Sequence, residues 1–580
     1  MSDQALQQRP YPELTWQALV FGALLGVLMT SAFVYVGLKL GFGLGGSTVA
    51  AILGFVVLRA MGTGTIIENN VAQTIASAIN VSSSGVIFTL PALLLLGEDF
   101  SWPAMILSAT AGSFMGVVLI IPLRKQMLEF DRLRFPSGMA VASILRSSGG
   151  GKNKAILLGI GAAISGSVLV LIEKLHLIPA SLPIGDWLHI PSFTGTALSL
   201  SIMNIGAGLL SGKGGLPFVF GGVLAWWIIA PMAVASGWIP PEISGDAVWG
   251  ELYFNMLRPV GIGILIGGAL AGVFAAFPAI RAAIKTLSSA AKLGAEGGAE
   301  ELSAKTLGYG LGGALLLLYG AATFVVGPML AIPVAVVGAL WLALAGMIVA
   351  QATGMTDISP LSGMALIGVT LMLAITGGQV VAAVLVGVAI CVGIGQCADM
   401  MQDLKTGHLV GGIPRRQQLA QIFTGWLGPL VAVGTVYILW NRFGVDANGV
   451  FQPGFGPESQ ACLTKASDCL SAPQAGALQG MIEGVVDGNA PVDKYLGGGL
   501  LGLALGALPT AGVGVLVGLA MYLPFEITLG YGVGCLSGWF LEAKKGRAFF
   551  SEKVVPLAAG FIVGEAVTAL VLTAITMIGG

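Results

Sequence analysis

Two uninterrupted apolar stretches, IGILIGGALAGVFAAF at residues 262–277 and LGGALLLLYGAATFVV at residues 311–326, decide the fold class. With their flanking residues, each reaches the roughly 20 residues that a helix needs to cross a lipid bilayer. Neither stretch alternates apolar with polar residues, as a strand of a membrane β-barrel would. These stretches therefore predict membrane-spanning α-helices.

The composition of the whole chain extends this prediction. The chain has 580 residues, of which 56% are hydrophobic and only 9% are charged, whereas soluble domains carry roughly 25% charged residues. Its apolar segments predict an all-α polytopic membrane protein with about 14–16 transmembrane helices, some of them broken or re-entrant. The 88 glycines are about twice the usual share, and glycine inside apolar spans favours close helix–helix contact.

The order of motifs divides the chain into two halves. The polar stretch 281–305 predicts a cytoplasmic linker between an N-terminal transmembrane half, residues 1–280, and a C-terminal half, residues 306–580. A Leu-Pro-Phe motif occurs late in both halves, at residues 216–218 and 523–525. Each motif follows a polar interruption of the apolar pattern, and this parallel order favours two pseudo-repeats of a transporter.

Basic residues predict the orientation of the chain. Lysine and arginine concentrate in four connections, which the positive-inside bias makes cytoplasmic: residues 124–154, 281–305, 402–416 and 541–553. The N-terminus is then cytoplasmic and the acidic insertion 441–493 faces outward. Cys462 and Cys469 lie in this insertion, and two thiolates without partner histidines favour a disulfide over a metal site. The expected location is the inner (plasma) membrane, with the first span retained.

The most polar of the interruptions is ENNVAQTIASAIN at residues 68–80. On a helix, Asn70, Gln73 and Ser77 share one face and Asn69 lies beside it. Amides both donate and accept hydrogen bonds, so this face can bind peptide-like groups of a substrate. The alternative is that these side chains join helices, at about 0.6 kcal/mol per hydrogen bond. We favour substrate binding because the polar residues are dense.

Two further interruptions contain carboxylates beside proline. In GMTDISPLSGM, residues 354–364, Pro360 predicts a break in a spanning helix, and Asp357 with the freed carbonyls suits a cation, an ammonium group or a proton. In AMYLPFEITLGYG, residues 520–532, Tyr522 is a candidate substrate contact and Glu526 is the leading candidate for proton coupling. An acid in a cavity with little solvent has its charged form disfavoured.

The remaining charged residues of the apolar regions have less specific interpretations. Glu68 is a further proton-coupling candidate, and Glu565 is either a proton relay or an acid paired to a neighbouring helix. Lys39 ends the first span and is predicted to reach the membrane surface. A solvated or helix-capping face is preferred to a gate for Asp399, Asp403, Lys405 and His408.

No motif indicates an enzyme. The three histidines form no metalloprotease motif, and no GxxxxGK[ST] phosphate loop occurs. No basic run suggests a nucleic acid as a partner. We therefore expect no catalytic residues, metal or cofactor, and a proton gradient as the energy source.

Four motifs carry a resemblance to a known family. NNVAQTIASA, LRFPSGMA, QDLKTGHLVGGIPRRQQLAQ and MYLPFE, in this order along nearly the full chain, closely resemble motifs of the oligopeptide transporter (OPT) family. The run at residues 402–421 is the most specific of them. The bacterial members are similar to the branch that contains the plant yellow-stripe-like metal-chelate carriers.

The resemblance implies a secondary transporter that moves small peptides, or metal complexes of peptide-like chelators, together with protons. It also implies a site between the two halves near mid-membrane, and a helix over residues 471–486. A passive channel is the rival class. Glycine-rich faces lead us to expect a homodimer in the lipid bilayer.

Overall fold

A computed structural model describes most of the chain. The described residues are 12–41, 46–62, 64–146, 151–245, 247–275, 301–356, 359, 361–443, 454–456, 470–486, 491–508 and 512–579. Cys462, Cys469, Asp357 and Pro360 lie outside them, so the predicted disulfide and the predicted roles of Asp357 and Pro360 stay predictions.

The described residues are almost entirely helical, which confirms the all-α fold. In the first part of the chain the helices are α1 (Trp16–Leu40), α2 (Ser47–Ala60), α3 (Ile66–Asn80), α4 (Ser82–Thr89), α5 (Pro91–Leu95), α6 (Trp102–Ile120), α7 (Pro136–Arg146), α8 (Gly151–Glu173), α9 (Ile184–Trp187), α10 (Ile202–Ser211), α11 (Leu216–Val223), α12 (Ala230–Ala235), α13 (Ala247–Leu252) and α14 (Arg258–Ala275). Two short strands, β1 (Ser181–Leu182) and β2 (Leu198–Ser199), form an antiparallel pair in which Ser181 faces Ser199.

The described residues of the second part of the chain form ten more helices. They are α15 (Ala304–Thr356), α16 (Leu361–Thr376), α17 (Val380–Val410), α18 (Pro414–Thr424), α19 (Leu427–Phe443), α20 (Pro473–Val486), α21 (Val492–Gly506), α22 (Val513–Tyr522), α23 (Phe525–Phe549) and α24 (Val555–Gly579). Short 3-10 or π segments also occur, most of them at the ends of these helices: Ile121–Leu123, Lys125–Phe130, Ser192–Thr194, Gly212–Gly215, Leu224–Ile229, Tyr253–Leu257 and Phe550–Val554. Helix α20 confirms the helix expected within residues 471–486.

The apolar helices are long enough to cross a membrane many times. Ten candidate spans occur among the described residues, and two shorter apolar helices, α2 and α16, accompany them. Two of the ten each consist of two helices joined at a kink, because the backbone leaves helical geometry at Gly327 in α15 and at Gly546 in α23. Dividing these two and adding the shorter helices gives fourteen apolar helices among the described residues, and the predicted total of 14–16 transmembrane helices stays a prediction.

The predicted helix break within residues 354–364 is confirmed. Helix α15 ends at Thr356 and α16 begins at Leu361. Near the end of α15, the carbonyl oxygen of Gly354 accepts two hydrogen bonds. The backbone N–H groups of Arg134 and Phe135 donate them, at 3.1 and 3.0 Å. The LRFPSGMA motif therefore docks on this break.

Two compact units make up the structure. The described residues of unit 1 fall within Met1–Val34, Gly43–Ala155 and Ala276–Tyr437, and those of unit 2 within Tyr35–Phe42, Ile156–Ala275 and Ile438–Gly580. Each unit takes residues from both sides of the predicted 281–305 linker. Corresponding motifs share a unit: the polar interruptions at residues 68–80 and 354–364 fall within unit 1, and both Leu-Pro-Phe motifs lie in unit 2. The division into sequence halves stays a prediction.

Glycine lets helices within each unit touch through their backbones, as its abundance predicts. In unit 1, a Cβ atom at Gly112 of α6 would lie 2.1 Å from the carbonyl oxygen of Ala389 in α17. In unit 2, a Cβ atom at Gly267 of α14 would lie 2.0 Å from the carbonyl oxygen of Gly499 in α21. Such close contacts replace the hydrophobic effect as the source of helix association in lipid.

Candidate functional site

Helix α3, which carries the polar stretch, begins at a well-defined cap. The Thr65 side chain accepts a hydrogen bond from the backbone N–H of Glu68 at 3.1 Å, as threonine does at an N-cap. The Glu68 carboxylate is fully buried and accepts from the backbone of Gly64 at 2.7 Å and from the hydroxyl of Thr15 at 2.5 Å. Glu68 therefore fixes the start of the helix.

The polar face of α3 is buried and contacts acids of α17. Its four predicted substrate-binding residues are all buried: Asn69, Asn70, Gln73 and Ser77. The amide nitrogen of Gln73 donates to Oδ1 of Asp403 at 2.6 Å, and the hydroxyl of Ser77 donates to Oδ1 of Asp399 at 2.7 Å. The two acids lie one turn apart on α17, so two matched polar pairs join α3 to α17.

The predicted solvated face is therefore wrong for Asp403, whereas Asp399 is half-buried. Helix α17 runs to Val410, and helices α3, α7 and α18 pack against it, so Asp403 is only 1% exposed. His408, farther along the helix, is exposed. The basic residues of 402–416 made this segment resemble a cytoplasmic connection, whereas its first two turns are the buried end of a helix.

Amide side chains from α17 and α18 extend the polar network. The amide nitrogen of Gln417 donates to the hydroxyl of Thr74 at 2.8 Å and to the backbone oxygen of Asp403 at 3.0 Å. The amide nitrogen of Gln421 donates to the amide oxygen of Gln396 at 2.8 Å. These residues were absent from the predicted site. The four-residue spacing of Gln417 and Gln421, which puts both on one helix face, could have indicated them.

Several atoms on this network have no hydrogen-bond partner among the described residues. They include both side-chain polar atoms of Asn70, Oε1 of Gln73 and of Gln421, and Oδ2 of Asp399 and of Asp403, and all are buried. Asn69 is half-paired: its amide nitrogen donates to a backbone oxygen of α2 at 2.9 Å, whereas its Oδ1 has no partner among the described residues. A buried polar group without a partner costs free energy, so Asn70 is suited to bind a ligand and Asn69 to join helices.

The predicted residues Tyr522 and Glu526 belong to unit 2. Tyr522 is the last residue of α22, and Glu526 is half-buried in the first turn of α23. Between them, the backbone oxygen of Leu523 accepts a hydrogen bond from the indole of Trp226 at 3.3 Å. The indole supports the turn that separates the two helices.

Glu565 is an acid paired to neighbouring elements, the second of its two predicted interpretations. Its carboxylate accepts from the hydroxyl of Ser201 at 2.5 Å and from the backbone N–H of Met203 at 2.8 Å, at the N-terminus of α10. The ammonium of Lys39 lies 3.5 Å from the same carboxylate, and both side chains are 2% exposed. The prediction that Lys39 reaches the membrane surface is wrong, because this acid holds it inside unit 2.

Comparisons with known proteins match nearly the whole chain. A model of the family described as OPT oligopeptide transporter protein matches residues 13–576. A Haemophilus influenzae protein, provisionally named an oligopeptide transporter, is 28% identical over 605 residues, covering 93% of this chain and 92% of that protein. An Arabidopsis thaliana protein, YSL6, provisionally named a metal-nicotianamine transporter, is 24% identical over 393 residues, covering 59% of this chain and 56% of that protein.

Proposed function

Because this chain belongs to the oligopeptide transporter family, we propose that it imports small oligopeptides together with protons. It is a multi-pass membrane transporter and not an enzyme. The proposed location is the inner (plasma) membrane, with the N-terminus on the cytoplasmic side, and the proposed assembly is a homodimer.

One observation carries the proposal of a peptide substrate. The side chain of Asn70 is fully buried, and neither its nitrogen nor its oxygen has a partner among the described residues. A carboxamide pairs with a peptide group through one donated and one accepted hydrogen bond. The unpaired oxygen of Gln73, on the same face of α3, adds an acceptor for a peptide N–H.

A metal–chelator complex is the second candidate, and the similarity to a plant protein named as a metal-nicotianamine transporter favours it. Among the described residues, no three His, Cys, Asp or Glu side chains converge to hold a metal ion. A chelate would therefore be recognised through the amino and carboxylate groups of the chelator. The amides of α3 suit these groups as well as they suit a peptide.

The predicted proton-coupling acids differ in their surroundings. Donors of the protein engage both Glu68 and Glu565, which favours structural roles for them. Glu526 is half-buried beside a helix turn and also interacts with the protein, and it stays the predicted coupling acid of unit 2.

Substrate screening tests the proposed function. Purified protein is heated in the presence of di- to pentapeptides, glutathione or ferric nicotianamine, and a ligand that binds the folded state raises the melting temperature by mass action. The best ligand is then offered to proteoliposomes with an inward proton gradient. We expect accumulation that a protonophore abolishes. Uptake that only equilibrates, with or without the protonophore, would indicate a passive channel instead.

Substitution of Asn70 distinguishes binding from helix joining. Asn70→Ala should weaken binding of the screened ligand by about 1–3 kcal/mol, or roughly five- to a hundred-fold, because substrate groups lose their partners. It should leave the melting temperature of the free protein nearly unchanged, since Asn70 bonds to no described residue. Ligand titration and thermal unfolding of the same samples measure the two quantities.

Asn69→Ala is the matched control for this prediction. It removes the hydrogen bond to the backbone of α2 and should lower the melting temperature while keeping the affinity. If Asn70→Ala binds the ligand normally and melts early instead, α3 is a structural helix and the proposed substrate contact is wrong.

A further inference from the structure

We propose that Asp399 and Asp403 form a proton-binding pair that controls the substrate-contacting side chains of α3. This inference rests on the proposed function, because it assigns the link between proton and substrate within unit 1. It adds a site to the four acids that the sequence predicts for proton coupling, Glu526, Asp357, Glu68 and Glu565, none of which lies on α17.

The geometry of the pair makes two negative charges costly. The two carboxylates lie four residues apart on α17, hence one turn apart on one face. Asp403 is 1% exposed and Asp399 is half-buried, and Oδ2 of each acid is buried with no hydrogen-bond partner among the described residues. Two negative charges close together repel each other, and burial disfavours each charge by removing it from water. One bound proton relieves both effects.

No basic side chain of the described residues compensates the pair. The elements packed against α17 are α3, α4, α5, α6, α7, α15, α16 and α18. The acidic and basic side chains that they and α17 carry are Glu68, Arg146, Lys305, Lys405, His408, Arg415 and Arg416. None of these forms an ion pair with either aspartate.

Three of these charged groups make contacts with other residues. Arg416 pairs with Glu13 at 3.6 Å, and Arg146 donates to the backbone oxygen of Leu409. Glu68 is held by Gly64 and Thr15. The pair on α17 therefore lacks the partner that a buried charge requires, and a proton is the cation that fits.

An independent observation points to a ligand at the same place. The Gln73 side chain is fully buried and touches Asp403 through its nitrogen, but its oxygen has no partner among the described residues. The oxygen of the buried Gln73 amide can thus accept a hydrogen bond from a ligand, beside the acid, Asp403, whose charge would change. Asn70, one turn earlier on the same face, is available in full.

The two α3 contacts explain how the proton and the substrate would be linked. With the pair ionised, Gln73 and Ser77 donate charge-assisted hydrogen bonds to it, which are roughly twice as strong as neutral ones. A proton taken up from water forms one O–H bond on a carboxylate, neutralises it and weakens these bonds. The amide of Gln73 can then turn to a substrate. By reciprocity, bound substrate favours the proton, and the proton returns to water when the substrate leaves.

Infrared spectroscopy of the full chain in liposomes tests for this proton without any substrate. A protonated carboxylic acid has a C=O stretch that shifts in D₂O and disappears when the acid ionises. We expect the wild-type protein to show such a band, and the Asp399→Asn/Asp403→Asn variant to lose it. Glu98→Gln, at an exposed acid of unit 1, and Glu565→Gln are matched controls that should keep it. A wild-type protein without the band, or an Asn/Asn variant that retains it, overturns the proposal.

Milder variants keep the test valid if the double variant does not fold. Ser77→Ala and Gln73→Ala each remove a donor to one aspartate and should shift the frequency of the band. If neither shifts it, the protonated acid lies elsewhere and the proposal fails. Proton-driven accumulation of the screened ligand is measured separately: its absence in the wild type contradicts the proposed function, whereas the infrared band depends only on the pair.

Discussion

Replacing Lys39 by methionine should destabilise the protein by about 3–5 kcal/mol, the usual cost of removing one partner from a buried ion pair. The Glu565 carboxylate would stay inside unit 2 without the ammonium that now lies 3.5 Å away. Its bonds to Ser201 and Met203 compensate only part of its charge. Equilibrium denaturation in mixed micelles measures the change in the free energy of unfolding.

A double variant shows whether the loss comes from the unpaired charge. Lys39→Met with Glu565→Gln removes both charges and should recover most of the stability, because a buried pair itself contributes little net stability. Lys213→Met is the matched control, since Lys213 is an exposed lysine of the same unit. A double variant as unstable as the two single variants combined would contradict this account of the pair.

Replacing Arg124 by methionine should cost on the order of 3 kcal/mol for the same reason. Arg124 is 2% exposed, and its guanidinium donates to Glu301 at 2.5 Å and to Glu129 at 2.7 Å. Glu301 is only 9% exposed, so its carboxylate would lose a buried partner. The loss should also free residues 301–303, which precede α15, measured as faster proteolysis near Glu301.

Two arginine variants serve as controls for this prediction. Arg124→Lys keeps the charge but not the planar fork that reaches two acids at once, so it should lose an intermediate amount of stability. Arg415→Met removes an exposed arginine and should change the free energy of unfolding by less than about 0.5 kcal/mol. Equal effects of Arg124→Met and Arg415→Met would mean that the buried contacts do not stabilise this region.

Sequence periodicity predicts the polar face of α3 well. Asn70, Gln73 and Ser77 are one face of any helix at these spacings, and the structure buries them together. The break before Leu361 follows equally from proline chemistry. These features depend on neighbouring residues, which the sequence displays directly.

Features set by distant residues escape the same reasoning. The burial of Asp403 depends on helices from several parts of unit 1, while the nearby basic residues suggest an aqueous segment. Lys39 is held by Glu565, which is 526 positions away in the chain. Without the fold, a lysine at the end of an apolar run is expected to reach water, so its partner could not be inferred.

The backbone contacts at Gly112 and Gly267 limit which amino-acid substitutions these positions can accept. Any other residue brings a Cβ atom to within 2.1 Å of a carbonyl oxygen at Gly112 and 2.0 Å at Gly267, closer than real Cβ atoms come. Gly159 and Gly272 meet nothing within 4 Å and are free to vary. Random mutagenesis with selection for a folded protein should therefore recover many substitutions at Gly159 and Gly272 and almost none at Gly112 and Gly267. Much of the high glycine content is then an inherited geometric requirement of the helix contacts.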